Sequence, residues 1–127
     1  MVQRDAKTGK EHREFFSIDM TCGWETIAPG IEAKILAGAM DDAARKGHLN
    51  RIVRWAPHAA IDRIRVHDFY EEVFVAAGTL LVATPEDCAH FEAFAAPAFA
   101  CRPPDAKHGP FKAGPKGCLL FETQFYY

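Results

Sequence analysis

The stretch His67-Asp-Phe-Tyr-Glu71 sets an imidazole and a carboxylate four residues apart, and His108 supplies a second imidazole further along the chain. Imidazole suits iron, nickel, copper and zinc, while a carboxylate adds charge and favours a hard or borderline ion. His67, Glu71 and His108 are therefore candidate ligands of a divalent transition metal. Arg63 and Arg65 precede His67 at alternate positions, and Arg102 precedes His108. A guanidinium presents a rigid fork of donors that matches carboxylates and enolates. Arg63, Arg65 and Arg102 are thus candidate grips on an anionic substrate oxygen.

Strands must position these groups. Glu71 opens a run of alternating strand formers that ends at Gly78, and Thr79–Ala83 continues it, so Gly78 reads as a bend between two strands. Further strands are expected over 32–37, 50–55, 98–102 and 117–125, with a hairpin connection or helical turn over 41–47 and a loop over 103–117. Thr84-Pro85-Glu86-Asp87 has the form of a helix start and predicts at most a short helix ending before Pro97. Five to eight short strands with Gly/Pro punctuation argue for an all-β sandwich or barrel. Successive strand residues point to opposite faces, so Arg63, Arg65 and His67 share one face, and Ile64 and Val66 the other. Either the apolar pair faces the core, or the polar face lines a barrel interior and Ile64 and Val66 meet an outer sheet or second subunit.

The bulk composition narrows the class. A chain of 127 residues suits one domain, here residues 15–127 behind a polar tail over residues 1–14. Fifteen basic against seventeen acidic residues give a net charge of −2, which points away from nucleic acid and anionic membrane surfaces. No apolar run approaches the roughly 20 residues of a membrane span. The first residues carry no apolar signal-like core, so a reducing cytoplasm is the expected location. Cys22, Cys88, Cys101 and Cys118 include no pair at zinc-ribbon spacing. They are read as small buried hydrophobes rather than a disulfide framework or structural zinc site.

His67-x3-Glu71-x6-Gly78 and Pro103-x-Asp105-x2-His108 resemble the two sequence motifs of the cupin superfamily. The entry segment from Trp24 to Leu36 is similar to cupins of the anti-sigma-factor type. The strings around His67, Ala100-Cys-Arg-Pro-Pro and His108-Gly-Pro-Phe are similar to small acetylacetone-dioxygenase-like cupins. The resemblance spans about residues 24–125 and implies a double-stranded β-helix, or jelly-roll, barrel. It places His67 at the second histidine of the first motif, Glu71 at its glutamate and His108 at the histidine of the second. The first motif's leading histidine falls at Arg65, which stays protonated and cannot coordinate a metal. Ala59, Asp105 and Lys112 also depart from the family pattern.

Three ligands of the kinds His, His and Glu match a facial triad for Fe(II), with Mn, Ni or Zn as other occupants. The resemblance implies a dioxygenase cleaving a dicarbonyl or enolisable anionic substrate, and an isomerase, lyase or decarboxylase fits the same donors. A metal-free acid–base pocket and a non-catalytic ligand-binding or sensing cupin stand as alternatives. Arg65 could instead form an ion pair with Glu71 or Asp62. His58 is the substitute ligand if a fourth is needed, while His12, His48 and His90 are expected at the surface. Phe69, Tyr70, Phe74, Phe99 and Phe111 are expected mainly in the core. Family habit and the Ile64/Val66 face imply a homodimer.

Overall fold

The computed structural model describes residues 3–127. In chain order it contains β1 (Glu25–Ala28), β2 (Ile31–Asp41), β3 (Lys46–Trp55), β4 (Ala60–Ile61), β5 (Tyr70–Thr84), β6 (Asp87–Ala95), β7 (Ala98–Arg102) and β8 (Phe111–Phe125), with no helix among the described residues. All pairings are antiparallel and run β1-β2-β3-β8-β5-β6, with β4 added to β8 and β7 to β5. The two longest strands change partners along their length. The first half of β5 pairs with β7 and its second half with β6, while β8 passes from β4 to β3. This exchange folds one sheet back on itself as a jelly roll.

The bend is built at two facing glycines. Gly78 (φ 74°) and Gly117 (φ 72°) both adopt the left-handed region. A Cβ on Gly78 would lie 2.2 Å from the Gly117 carbonyl oxygen, so only glycine permits the close approach. Gly78 therefore sits inside one continuous strand with a bulge rather than between two strands.

Alternation along the strands sorts the barrel interior into rows. Val53, Leu120, Val75 and Ala98 are neighbours in register and form an apolar row. Toward one end, the next rows hold Arg51, Glu122 and Val73, then Gln124, Glu71 and Arg102. The core thus fills one end, with Ile31 and Val53 almost fully enclosed, and polar side chains occupy the other.

Several expectations are corrected here. Residues 84–97 form a hairpin into β6, because the Thr84 hydroxyl accepts the Asp87 N–H (3.2 Å) across a tight turn and no helix follows. The 103–117 loop is shorter than expected, since β8 begins at Phe111. The Arg63–His67 segment is no strand, only a single bridge between Arg65 and His108. Of the four cysteines, Cys118 alone is buried; Cys22, Cys88 and Cys101 are exposed. Phe111 is buried, but Phe74 (40%) and Phe99 (64%) project outward.

In the lead segment Arg4 bridges Glu11, and the chain then crosses the outer face of β2 and β3. It is fastened by Lys10 to Asn50, by Lys34 Nζ to the carbonyls of Asp19 (2.8 Å) and Cys22 (2.7 Å), and by Arg54 to the Met20 carbonyl.

Candidate metal and anion site

The polar end of the barrel encloses a cavity of about 80 Å³, lined by Arg51, Arg65, His67, Glu71, Arg102, His108 and Glu122 over a floor that includes Val53, Trp55 and Leu120. Glu71 reaches it from β5 with an inward side chain that is 6% exposed. The histidines come from the two connecting segments, which are tied to each other. Arg65 N–H donates to the His108 carbonyl (2.7 Å), His108 N–H to the Arg65 carbonyl (2.9 Å), and Asp105 N–H to the His67 carbonyl (2.7 Å). That bridge puts the imidazole rings 5.0 Å apart, with His67 stacked on Phe69.

One donor atom from each of His67, Glu71 and His108 lies within 4.8 Å of the others. Ligands about 2.1 Å from a common ion sit roughly 3 to 4 Å apart, a gap that small side-chain rotations close. The donors also have free lone pairs. The Glu71 carboxylate accepts from Arg102 (2.9 Å) on one oxygen and from Gln124 (2.8 Å) on the other. A carboxylate offers about four acceptor positions, so each oxygen retains one. His108 Nδ1 lies 3.2 Å from the Ala106 carbonyl and donates there, which leaves Nε2 as the lone-pair nitrogen, 3.9 Å from Glu71. Such hydrogen bonds to the far side of metal ligands fix their orientation. The residues fit a divalent ion held by two imidazoles and one carboxylate.

The electrostatics favour neutral imidazoles. Burial, reinforced by the Arg102 charge, lowers the His108 pKa to about 4 against the opposing pull of Glu71. Burial also lowers that of His67. Neutral imidazole is the ligating form. Burial raises the Glu122 pKa, opposed chiefly by Arg51.

The three expected arginines part company. Arg65 and Arg102 line the cavity, but Arg63 is exposed and does not. Arg65 makes no ion pair with Glu71 or Asp62; Arg102 takes Glu71 instead. His58 is an exposed turn residue (φ 63°), its N–H bonded to the Gly114 carbonyl and its ring away from the cavity. His12 and His90 are exposed, whereas His48 is half-buried against Phe125.

Three polar residues of the site escaped the sequence reading: Arg51, Glu122 and Gln124. Each alternates with apolar inward residues, Arg51 with Leu49 and Val53, and Glu122 and Gln124 with Cys118 and Leu120. A charged residue in phase with a buried row is the signal that would have found them.

Fold and site together define a barrel of the cupin type with a two-histidine, one-carboxylate cluster inside. Three solved structures carry that fold comparison. An RmlC-like cupin from Shewanella frigidimarina matches with a TM-score of 0.66 at 17% identity over 91% of this chain and 93% of that one. KdgF from Halomonas sp. matches at 0.63 and 16% over 91% and 96%. An acetylacetone dioxygenase from Acinetobacter johnsonii matches at 0.63 and 17% over 91% and 74%. No protein-family profile and no curated protein matches the sequence.

Proposed function

We propose that this chain is a metal-dependent small-molecule enzyme of the cupin class, a dioxygenase that cleaves a dicarbonyl or enolisable substrate. The observation that carries the reading is the cluster of buried Glu71 with half-buried His67 and His108, sharing one cavity with Arg65, which has no ion-pair partner among the described residues. Bound at those three donors, Fe(II) supplies dioxygen chemistry, and Mn, Ni or Zn supplies a Lewis acid. The chain's own residues do the rest. Arg65 holds an anionic oxygen of the substrate. Arg102 and Gln124 orient Glu71, which binds the ion and is the nearest carboxylate to accept a substrate proton. The apolar floor limits water around the reacting carbons. An acetylacetone dioxygenase among the structures of similar fold supports the reaction class.

Elemental mass spectrometry of the purified protein, with oxygen uptake on a β-diketone panel after anaerobic Fe(II) loading, tests the proposal. Near-stoichiometric metal that His67→Ala and His108→Ala both lose, with uptake on at least one diketone, is the expected result. Metal without uptake points to an isomerase, lyase or decarboxylase. Absence of metal even after reconstitution removes the metal reading and leaves a metal-free acid–base pocket or a ligand-binding or sensing barrel. The metal-free reading has its own support in Glu71, whose two oxygens are already hydrogen-bonded without an ion.

A homodimer in a reducing cytoplasm completes the proposal, supported by four unlinked cysteines and by aromatic side chains exposed on the outer sheet. So does the division into a polar lead segment over 1–14 and one barrel domain over 15–127, which limited proteolysis tests by trimming the first part alone.

A further inference from the structure

The charges facing the cavity do not balance. Arg51 is committed to Glu122 at 2.8 Å and Arg102 to Glu71 at 2.9 Å. Arg65 lines the same cavity, partly buried, its backbone fixed by two hydrogen bonds to His108, and its guanidinium has no carboxylate partner among the described residues. A partly buried charge without a counter-charge is unfavourable, so the site is built to accept an anion. A second donor in the wall lacks an acceptor. Trp55 lines the cavity, and its buried Nε1–H makes no hydrogen bond. A divalent ion at His67, Glu71 and His108 would add two positive charges without adding a carboxylate. An enolate at those ligands answers part of the ion's charge but leaves Arg65 unmatched. The planar fork of Arg65 suits a carboxylate, and a cavity of about 80 Å³ has room for a small one.

We infer that the cavity takes a small oxo carboxylate, its carboxylate on Arg65 and its oxo group facing His67, Glu71 and His108, and that this anion and the metal bind cooperatively. The inference rests on the metal reading above and narrows its substrate from dicarbonyls in general to those bearing a carboxylate. Cooperativity follows from charge. The metal raises the positive potential that Arg65 already provides, and the anion lowers it, so each tightens the other by the same factor.

The test uses Mn(II), pyruvate and methyl pyruvate as probes. Free Mn(II) is followed by electron paramagnetic resonance during titration of the full chain, with and without each probe, for the wild type and Arg65→Gln. Pyruvate is expected to tighten Mn(II) about tenfold in the wild type, within the usual range of coupling between sites. The ester, which keeps the carbonyl and loses the charge, should not. Arg65→Gln should lose the pyruvate effect and bind Mn(II) alone more tightly than the wild type. Equal effects of pyruvate and its ester in the wild type overturn the inference without recourse to any variant, as does a pyruvate effect that survives in Arg65→Gln. If the wild type takes no Mn(II), the metal reading falls separately. Saturation-transfer NMR of pyruvate on the metal-free protein then decides: a signal abolished in Arg65→Gln supports the carboxylate site, and an absent or unchanged signal rejects it.

Discussion

Glu71 is a buried carboxylate held by Arg102 and Gln124 from its two flanking strands. Removing one member of a buried ion pair costs about 3–5 kcal/mol, while replacing both with apolar groups is often neutral. Arg102→Met should therefore lower stability by about that much in urea unfolding, and Arg102→Met combined with Glu71→Met should recover most of the loss. A double variant no better than the single one would show that the pair's value lies elsewhere. His108 carries a pH prediction of definite sign. Its folded pKa of about 4 lies below the ordinary histidine value of about 6.5, so the unfolded chain binds more protons between those values. Stability of the metal-free protein should fall as pH drops from 6.5 to 4 and this contribution should then level off. His67 acts in the same direction. Thermal unfolding in chelator checks this, and His108→Gln should flatten the slope.

At the scale of elements, β5 and β8 carry the architecture because each serves two sets of neighbours. Their shared bend depends on Gly78 and Gly117, where the backbones approach too closely for a side chain. Gly78→Ala should destabilise by about 2–4 kcal/mol, since a left-handed residue and a backbone clash add together. A melting temperature equal to that of the wild type would remove the bend from the list of constraints. The connecting segments are organised differently. Residues 63–68 and 103–110 are held by a few mutual backbone bonds rather than a ladder. Those bonds are what bring His67 and His108 to the mouth of a barrel whose walls supply Glu71.

At the scale of the whole molecule, the outer face of the β7-β5-β8 sheet carries Phe99, Phe74 and Phe121 side by side in register, 64%, 40% and 38% exposed. Phe15 projects fully from the segment that crosses the neighbouring strands. With roughly 200 Å² per ring, these four leave on the order of 500 Å² of aromatic surface in water. That is over half of the roughly 800 Å² each partner buries in a standard interface. A second copy of the chain is the proposed cover. Phe99→Glu should convert the protein from dimer to monomer in light scattering at unchanged melting temperature. A wild type that is monomeric at every concentration would refute the proposal.

The sequence by itself carried the all-β class, through short runs of strand formers punctuated by Gly and Pro, and it offered His67, Glu71 and His108 as ligand types that the resemblance to the cupin motifs brings together. It also exposed the departure at Arg65. It did not determine that residues 84–97 form a hairpin, because Thr-Pro-Glu-Asp satisfies the start of a helix and of a tight turn equally, and only pairing with β5 selects the turn. Nor could it set Arg51, Glu122 and Gln124 around the site, or turn Arg63 outward while Arg65 faces in. Those outcomes depend on which strands lie side by side. The partner of Glu71 is Arg102 across the sheet rather than Arg65 close by in sequence, because register between β5 and β7 puts that guanidinium 2.9 Å from the carboxylate. Tertiary structure therefore decided which cation stayed free, and with it the chemistry that the cavity invites.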